Sequence, residues 1–260
     1  MQTLHYRRAA AFLAVGVFAL SATVSTEVLA QAPAVDPAAT KILQRMTDYL
    51  GSLKQFSVHT QNTLEDLLAS GHRVDFDVSA NVIISRPNKL HAERKGDLID
   101  QTFYYDGKTL TLYNPSDKVY ATEPAPGTIE GLLDYARESL GLTVPVADLV
   151  YRNAFALLMQ EVTLAVVVGK AVIGGGRCDH LVFSRPGVDF QVWVADGDQP
   201  LPYKYVVTDT GIPGRLSVTT VMSDWNVAPA VDDARFTFVV PQGVQQITFM
   251  PLATSSGSSR

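Results

Sequence analysis

The chain has 260 residues, 47% hydrophobic and 18% charged, with 21 Lys and Arg against 26 Asp and Glu. This is a globular composition, and its net charge of −5 argues against nucleic acid, which draws a basic stripe, and against simple electrostatic docking on anionic lipid. A single cysteine, Cys178, leaves no partner for an internal disulfide, so stability has to come from core burial.

Arg7 and Arg8 precede an uncharged apolar run from Ala9 to Leu20, and Val28-Leu29-Ala30 offers small or aliphatic residues after it. Residues 1–30 therefore read as a secretory signal peptide cleaved after Ala30. The run is shorter than the about 20 residues of a spanning helix. With no Cys after the cleavage point, lipid attachment is not expected. Residues 31–260 then carry 19 basic and 25 acidic side chains, a net charge of −6. The expected location is the periplasm, with no membrane span after cleavage.

Residues 31–36 are rich in Ala and Pro and are expected to form a disordered leader. Asp36-Pro37 reads as an N-cap followed by proline at the first helical position. Ile42, Leu43, Met46, Tyr49, Leu50 and Leu53 then recur at helical spacing, which predicts a helix over 37–53. Strands follow at Gln55–Leu67 and Arg73–Ser85. In the second, Val74, Phe76, Val78, Ala80 and Val82 alternate with Asp75, Asp77, Ser79 and Asn81, one packed face and one wet. Shorter strands are expected at Lys89–Lys95, Gln101–Tyr105, Lys108–Tyr113 and Lys118–Glu123, with Asp106-Gly107 as a hairpin turn.

The period then changes. Thr128 can cap a helix through Leu132, Leu133, Ala136 and Leu140, Pro145 ends it, and Val146–Met159 reads as a second helix. Strands resume at Val162–Val168 and Ala171–Ile173, and the Gly174–Gly176 bend leads into Cys178–Phe183. Arg185-Pro186-Gly187 turns the chain into Val188–Val194. Further strands are expected at Tyr203–Thr208, Arg215–Trp225 and Phe236–Val240. Residues 253–260 form a polar tail expected to be disordered. The fold class is α+β and mostly β: a large curved antiparallel sheet, an incomplete barrel of about eleven strands. An N-terminal helix and a mid-chain helical pair cover its inner face, all in a single domain over 37–252.

Cys178-Asp-His-Leu-x-Phe, Asp189-x-Gln-x-Trp193, Pro200-Leu-Pro-x-Lys204 and Asp224-Trp-Asn226 resemble a family of predicted periplasmic proteins known as a domain of unknown function. The likeness covers about residues 40–250. The chain departs from the pattern at Asp189-Phe190, where an Asp-Trp pair is expected; an aromatic is kept. That family in turn resembles the lipoprotein carrier and receptor (LolA/LolB-like) superfamily in its order of elements. This implies an incomplete barrel closed by helices over an apolar cavity, and it carries no functional residue over.

No Gly-x-Ser-x-Gly elbow or His-Glu-x-x-His is present, and Gly174–Gly176 lacks the lysine of a phosphate loop. Asp196-Gly-Asp198 lacks the downstream Glu of a calcium loop and reads as a turn. Cys178 and His180 share a strand face and would need further ligands to hold zinc or copper. Asp189 and Gln191 share a face with Trp193, and hydrogen bonds to neighbouring strands are the simpler role for them. Trp193 and Trp225 read as packing residues. The expected function is a non-enzymatic periplasmic binding or carrier protein for a lipid, a lipoprotein acyl chain or another apolar ligand, without cofactor. The alternative is an envelope interaction or structural protein on the same fold, and a metal enzyme around Cys178 and His180 ranks below both. Cys178, His180, Asp189, Gln191, Trp193, Lys204 and Trp225 are the motif residues whose roles the sequence leaves open.

Overall fold

The computed structural model describes residues 34–97, 99–142 and 146–249. The expected signal peptide and the polar tail at 253–260 lie outside them. The first helix, α1 (Pro37–Ser52), starts where Asp36 accepts a hydrogen bond from the Ala38 N–H at 2.8 Å, with Pro37 following the cap. Ala39, Leu43, Met46 and Leu50 recur three or four apart, and all are buried.

Six strands then form a meander: β1 (Gln55–Leu67), β2 (Arg73–Ser85), β3 (Lys89–Gly96), β4 (Asp100–Tyr105), β5 (Thr109–Asn114) and β6 (Val119–Pro124). The β4–β5 turn is made by Asp106, whose Oδ1 accepts from the Lys108 and Thr109 N–H groups at 2.9 Å, and by Gly107 at φ 96°. Three helices interrupt the strands: α2 (Ile129–Glu138), capped by Thr128, then α3 (Ala147–Val150) and α4 (Ala154–Met159). The remaining strands are β7 (Leu164–Ile173), β8 (Gly176–Arg185), β9 (Val188–Ala195), β10 (Pro202–Asp209), β11 (Ser217–Asn226) and the two-residue β12 (Gln245–Gln246).

All twelve belong to one open sheet in the order β12-β6-β5-β4-β3-β2-β1-β11-β10-β9-β8-β7. The pairs are antiparallel except β12 with β6. One face carries the helices and the main core. There α1 packs against β7, β8 and β9 and meets α3 and α4. Phe183, Phe190, Val192, Val194 and Tyr205 are buried on this face under α1 and α4, with Phe183 and Phe190 stacked at 4.7 Å.

The sheet as a whole follows the sequence; four local expectations do not hold. The mid-chain segment 146–159 forms two short helices rather than one. At the break, Tyr151 donates its hydroxyl to Asp134 at 2.7 Å and Arg86 donates to the Val150 carbonyl, so tertiary partners replace helical ones. The strands expected at 162–168 and 171–173 are one strand with an irregularity between Val167 and Gly169. Part of the leader is ordered: the Asp36 N–H donates to the Ala165 carbonyl and the Ala165 N–H to that of Ala34, both at 2.9 Å. The segment 236–240 is not a strand. Asp232 caps a 3₁₀ turn at Asp233–Phe236, and the chain then crosses the outer face. Phe238 lies 5.1–5.3 Å from the rings of Tyr104, Tyr113 and Tyr120. Phe236 and Phe238 alternate because they clamp onto that face, not because they pair with a neighbour.

His91 sits beneath this strap, 3% exposed and edge-on to Tyr104 at 4.8 Å. With Nε2 donating to Glu93 at 3.0 Å, Nδ1 is buried and has no partner among the described residues. Burial pulls the His91 pKa down, with Arg235 adding to it and Glu93 opposing. The folded state therefore resists the proton that the unfolded chain accepts near pH 6.5. Stability is full above that pH and falls as pH drops below it. The urea midpoint should fall between pH 7 and pH 5, and His91→Phe, which keeps the ring contact, should flatten that fall. In the core, Leu43→Ala should cost about 2–5 kcal/mol in equilibrium urea unfolding.

Candidate functional site

Between the sheet and α2–α3 lies a cavity of about 110 Å³, within a recess of about 1040 Å³ counted out to its solvent-open side. Its floor is made by alternate residues of β1, β2 and β3. Phe56, Val58, Thr60 and Asn62 face it from β1; Ala80, Val82 and Ile84 from β2; Leu90, Ala92 and Arg94 from β3. The alternation that points Asp75, Asp77, Ser79 and Asn81 away turns these apolar positions inward. The roof comes from Leu132, Leu133 and Ala136 of α2 and from Ala147, Leu149 and Val150 of α3.

The roof is held mainly at its ends, by polar groups. Arg86, whose side chain is 2% exposed, reaches Glu130 of α2 at 3.4 Å and the Val150 carbonyl of α3. Burial draws its pKa down, and Glu130 partly restores it. Tyr105 donates its hydroxyl to the Pro126 carbonyl before α2, and Arg185 of β8 donates to the Leu157 carbonyl of α4 at 3.2 Å. The Tyr151–Asp134 bond ties the α3–α4 pair to α2; burial and the Asp134 carboxylate push the Tyr151 pKa up to about 12.

Among the described residues the polar lining is Thr60, Asn62 and Arg94. Asn62 donates to Thr60 Oγ1 at 2.9 Å and to the Val78 carbonyl at 3.1 Å, and accepts from Thr220 at 2.7 Å. This trio is self-satisfied. Arg94 is not: among the described residues no carboxylate lies within ion-pair distance and no hydrogen bond reaches it. Its guanidinium stands over the Phe103 ring at 5.8 Å, a contact worth about 0.5–1 kcal/mol, while burial alone draws its pKa down.

The motif residues fall on two faces. Trp225 lines the cavity, tilted against Phe56 at 5.7 Å, and its indole N–H donates to the Pro202 carbonyl at 3.1 Å. A bulge places it there. Two residues of β11, Asp224 and Trp225, oppose one of β1, and Asp224 adopts φ 51°. Thr220 and Met222 point inward, so strict alternation would have turned Trp225 outward; the extra residue reverses it. The other six motif residues lie on the outer face. His180, Trp193 and Lys204 are cross-strand neighbours. The His180 ring stacks on Trp193 at 4.0 Å, and Lys204 Nζ lies 4.8 Å from the Trp193 ring. His180 Nε2 and Gln191 Oε1 are 2.9 Å apart, and Asp189 pairs with Arg215 at 2.7 Å. Cys178 is buried with Trp193 and Val206 in a small outer core, and burial raises its thiol pKa. Among the described residues no group of three His, Cys, Asp or Glu side chains is placed to hold a metal. Arg94, Asn62 and the tether Arg86 escape sequence reading, because an Arg or Asn in a strand or turn looks like a solvated position.

An open, mostly antiparallel sheet with an apolar cavity under short helices is the class these features define. The chain belongs to the DUF2092 family of predicted periplasmic proteins, whose model matches residues 39–250. No curated protein matches it. Among solved structures, it is similar to an uncharacterised conserved protein of Thermus thermophilus (13% identity, 81% of this chain and 99% of that one, TM-score 0.48). It is also similar to LprF of Mycobacterium bovis (15% identity, 77% and 97%, TM-score 0.48). A LolA-superfamily protein of Nitrosomonas europaea is another similar structure (12% identity, 77% and 97%, TM-score 0.39). Among the described residues no helix is long and apolar enough to cross a membrane.

Trp225→Ala should widen the cavity and cost stability near the lower end of the about 3–5 kcal/mol of large aromatic truncations, since the indole is only partly buried. A thermal melt of the variant checks this. Saturating it with a small apolar solute should recover part of the loss, as binding to the folded state does.

Proposed function

We propose that the protein is a non-enzymatic periplasmic binding or carrier protein for a ligand with an apolar chain, such as a lipid or the acyl group of a lipoprotein. The observation that carries this reading is the cavity: a floor of Val, Ile, Leu, Ala and Phe under helices of four to ten residues tied down at their ends. At about 110 Å³ the enclosed part is below the roughly 300 Å³ at which small-molecule pockets begin. A chain therefore enters by displacing α2 and α3 outward, away from the floor of β1–β3. Each buried methylene contributes about 0.8 kcal/mol, so a long acyl chain gains on the order of 10 kcal/mol before ordering costs. That gain is of the size needed to draw a tail out of a bilayer. Among the described residues the lining holds no Ser, Cys, His, Asp or Glu, which favours holding a ligand over transforming it.

A second reading, an envelope interaction protein, draws on β7. This strand ends the sheet; residues 34–36 pair with its edge at Ala165, and beyond that point Val168 and Val172 are exposed along it. Such an edge can accept a strand from another chain.

The test is native mass spectrometry of the protein purified from a periplasm, with organic extraction of whatever is bound. A co-purifying acylated compound is expected. Ala92→Leu, which fills the floor at an overpacking cost of about 1–3 kcal/mol, should fold and come without it. A bare wild-type mass under conditions that preserve bound lipid would favour the β7 reading.

A further inference from the structure

We infer that the cavity takes an amphiphile with an anionic head, a carboxylate or a phosphate, held by Arg94 with its tail along the floor toward Phe56. The inference rests on the apolar-chain reading above and adds the head group and the direction of binding.

Three observations support it. The first is the state of Arg94. It lines an otherwise apolar cavity, half-buried, with no carboxylate and no hydrogen-bond acceptor among the described residues. Phe103 lies with its ring centre 5.8 Å from the guanidinium carbon, and among the described residues no hydrogen bond occupies the N–H groups. Burial shifts its pKa down, but an arginine keeps its proton in such surroundings. Five donors in a planar fork fit the two oxygens of a carboxylate or phosphate, and a charged acceptor makes the stronger bond. Arg94 is part-buried and its N–H groups still reach solvent, so an anion replaces water there rather than relieving a buried charge.

The second is the order of residues along the floor. In one row across the strands Thr60, Ala80 and Arg94 are neighbours. Two residues along, the row is Val58, Val82 and Ala92. After two more it is Phe56, Ile84 and Leu90, with Trp225 packed on Phe56. Polarity falls from one end to the other over four residues, about 13 Å of strand. A neutral oil would gain nothing from that gradient; an amphiphile matches it.

The third is the lack of a competing acceptor. Asn62 and Thr60, the other polar lining residues, satisfy each other and Thr220, and the cavity lining contains no acidic side chain. An incoming anion therefore displaces no internal salt bridge of Arg94.

The experiment compares palmitate, hexadecyl phosphate and hexadecanol, three ligands with one tail. Each displaces a fluorescent apolar dye from wild-type protein, Arg94→Met and Arg94→Lys. In wild type the two anions should bind at least tenfold more tightly than the alcohol. Arg94→Met should bring both to the alcohol's level while leaving the alcohol unchanged, which also shows that the variant is folded. Arg94→Lys should keep part of the preference. The better of palmitate and hexadecyl phosphate names the head group. Equal binding of all three by wild type, or anion binding unchanged in Arg94→Met, overturns the head-group inference and leaves the apolar-chain reading standing. Failure of wild type to bind any of the three overturns both.

Discussion

The structure depends on one mismatch. A sheet of twelve strands presents an apolar face far larger than its helices can cover. The 16-residue α1 closes the part over β7–β9, where Phe183, Phe190 and Val192 are fully packed. Over β1–β3 the cover is α2 with the four-residue α3, and packing there is incomplete. Elsewhere such a gap would be filled by larger side chains. Here the floor keeps Ala80 and Ala92, and the roof is fastened by guanidinium–carbonyl and phenol–carboxylate bonds. These bonds fix the ends of the cover to the sheet and to one another.

The two faces of the sheet divide the labour. Six of the seven residues singled out from the sequence lie outside, where His180, Trp193 and Lys204 form a continuous stack across three strands. This is a cross-strand ladder of the kind that fixes register, and it stiffens the half of the sheet already packed by α1. The outer face of the other half is covered by the C-terminal strap through Phe236 and Phe238. The cavity is thus the soft region between two reinforced ones.

The sequence displays what short-range chemistry controls. Asp36-Pro37 starts α1, Asp106-Gly107 turns a hairpin, and the alternation in 73–85 sets the faces of β2. The order of helix, strands, helices and strands was enough to place the chain in its class. What escaped depends on distant partners. The segment 146–159 has helical periodicity throughout, yet Arg86 and Asp134 compete for its backbone and for Tyr151. Phe236 and Phe238 alternate like a strand, yet their partners, Lys89 for the first and three tyrosines for the second, lie more than a hundred positions earlier. The Asp224 bulge, which decides which face Trp225 joins, has no signature in its own three residues. Arg94 has the pattern of any strand arginine; only the absence of a counter-charge on the folded sheet sets it apart.

The central seam of the sheet joins β1 to β11, and the hydrogen bond from Thr220 to Asn62 spans 158 positions of sequence. A chain delivered from its N-terminus can assemble the β1–β6 meander early from neighbours. The inner edge of β1 must then wait, unpaired, until almost the whole polypeptide has arrived. Pairings of this separation are slow to form, and an unpaired apolar strand is where intermediates stick to one another. The seam that completes the cavity floor is therefore also the step at which newly made protein is most exposed to aggregation. Its yield in the cell should be governed there, ahead of the stability of the finished fold.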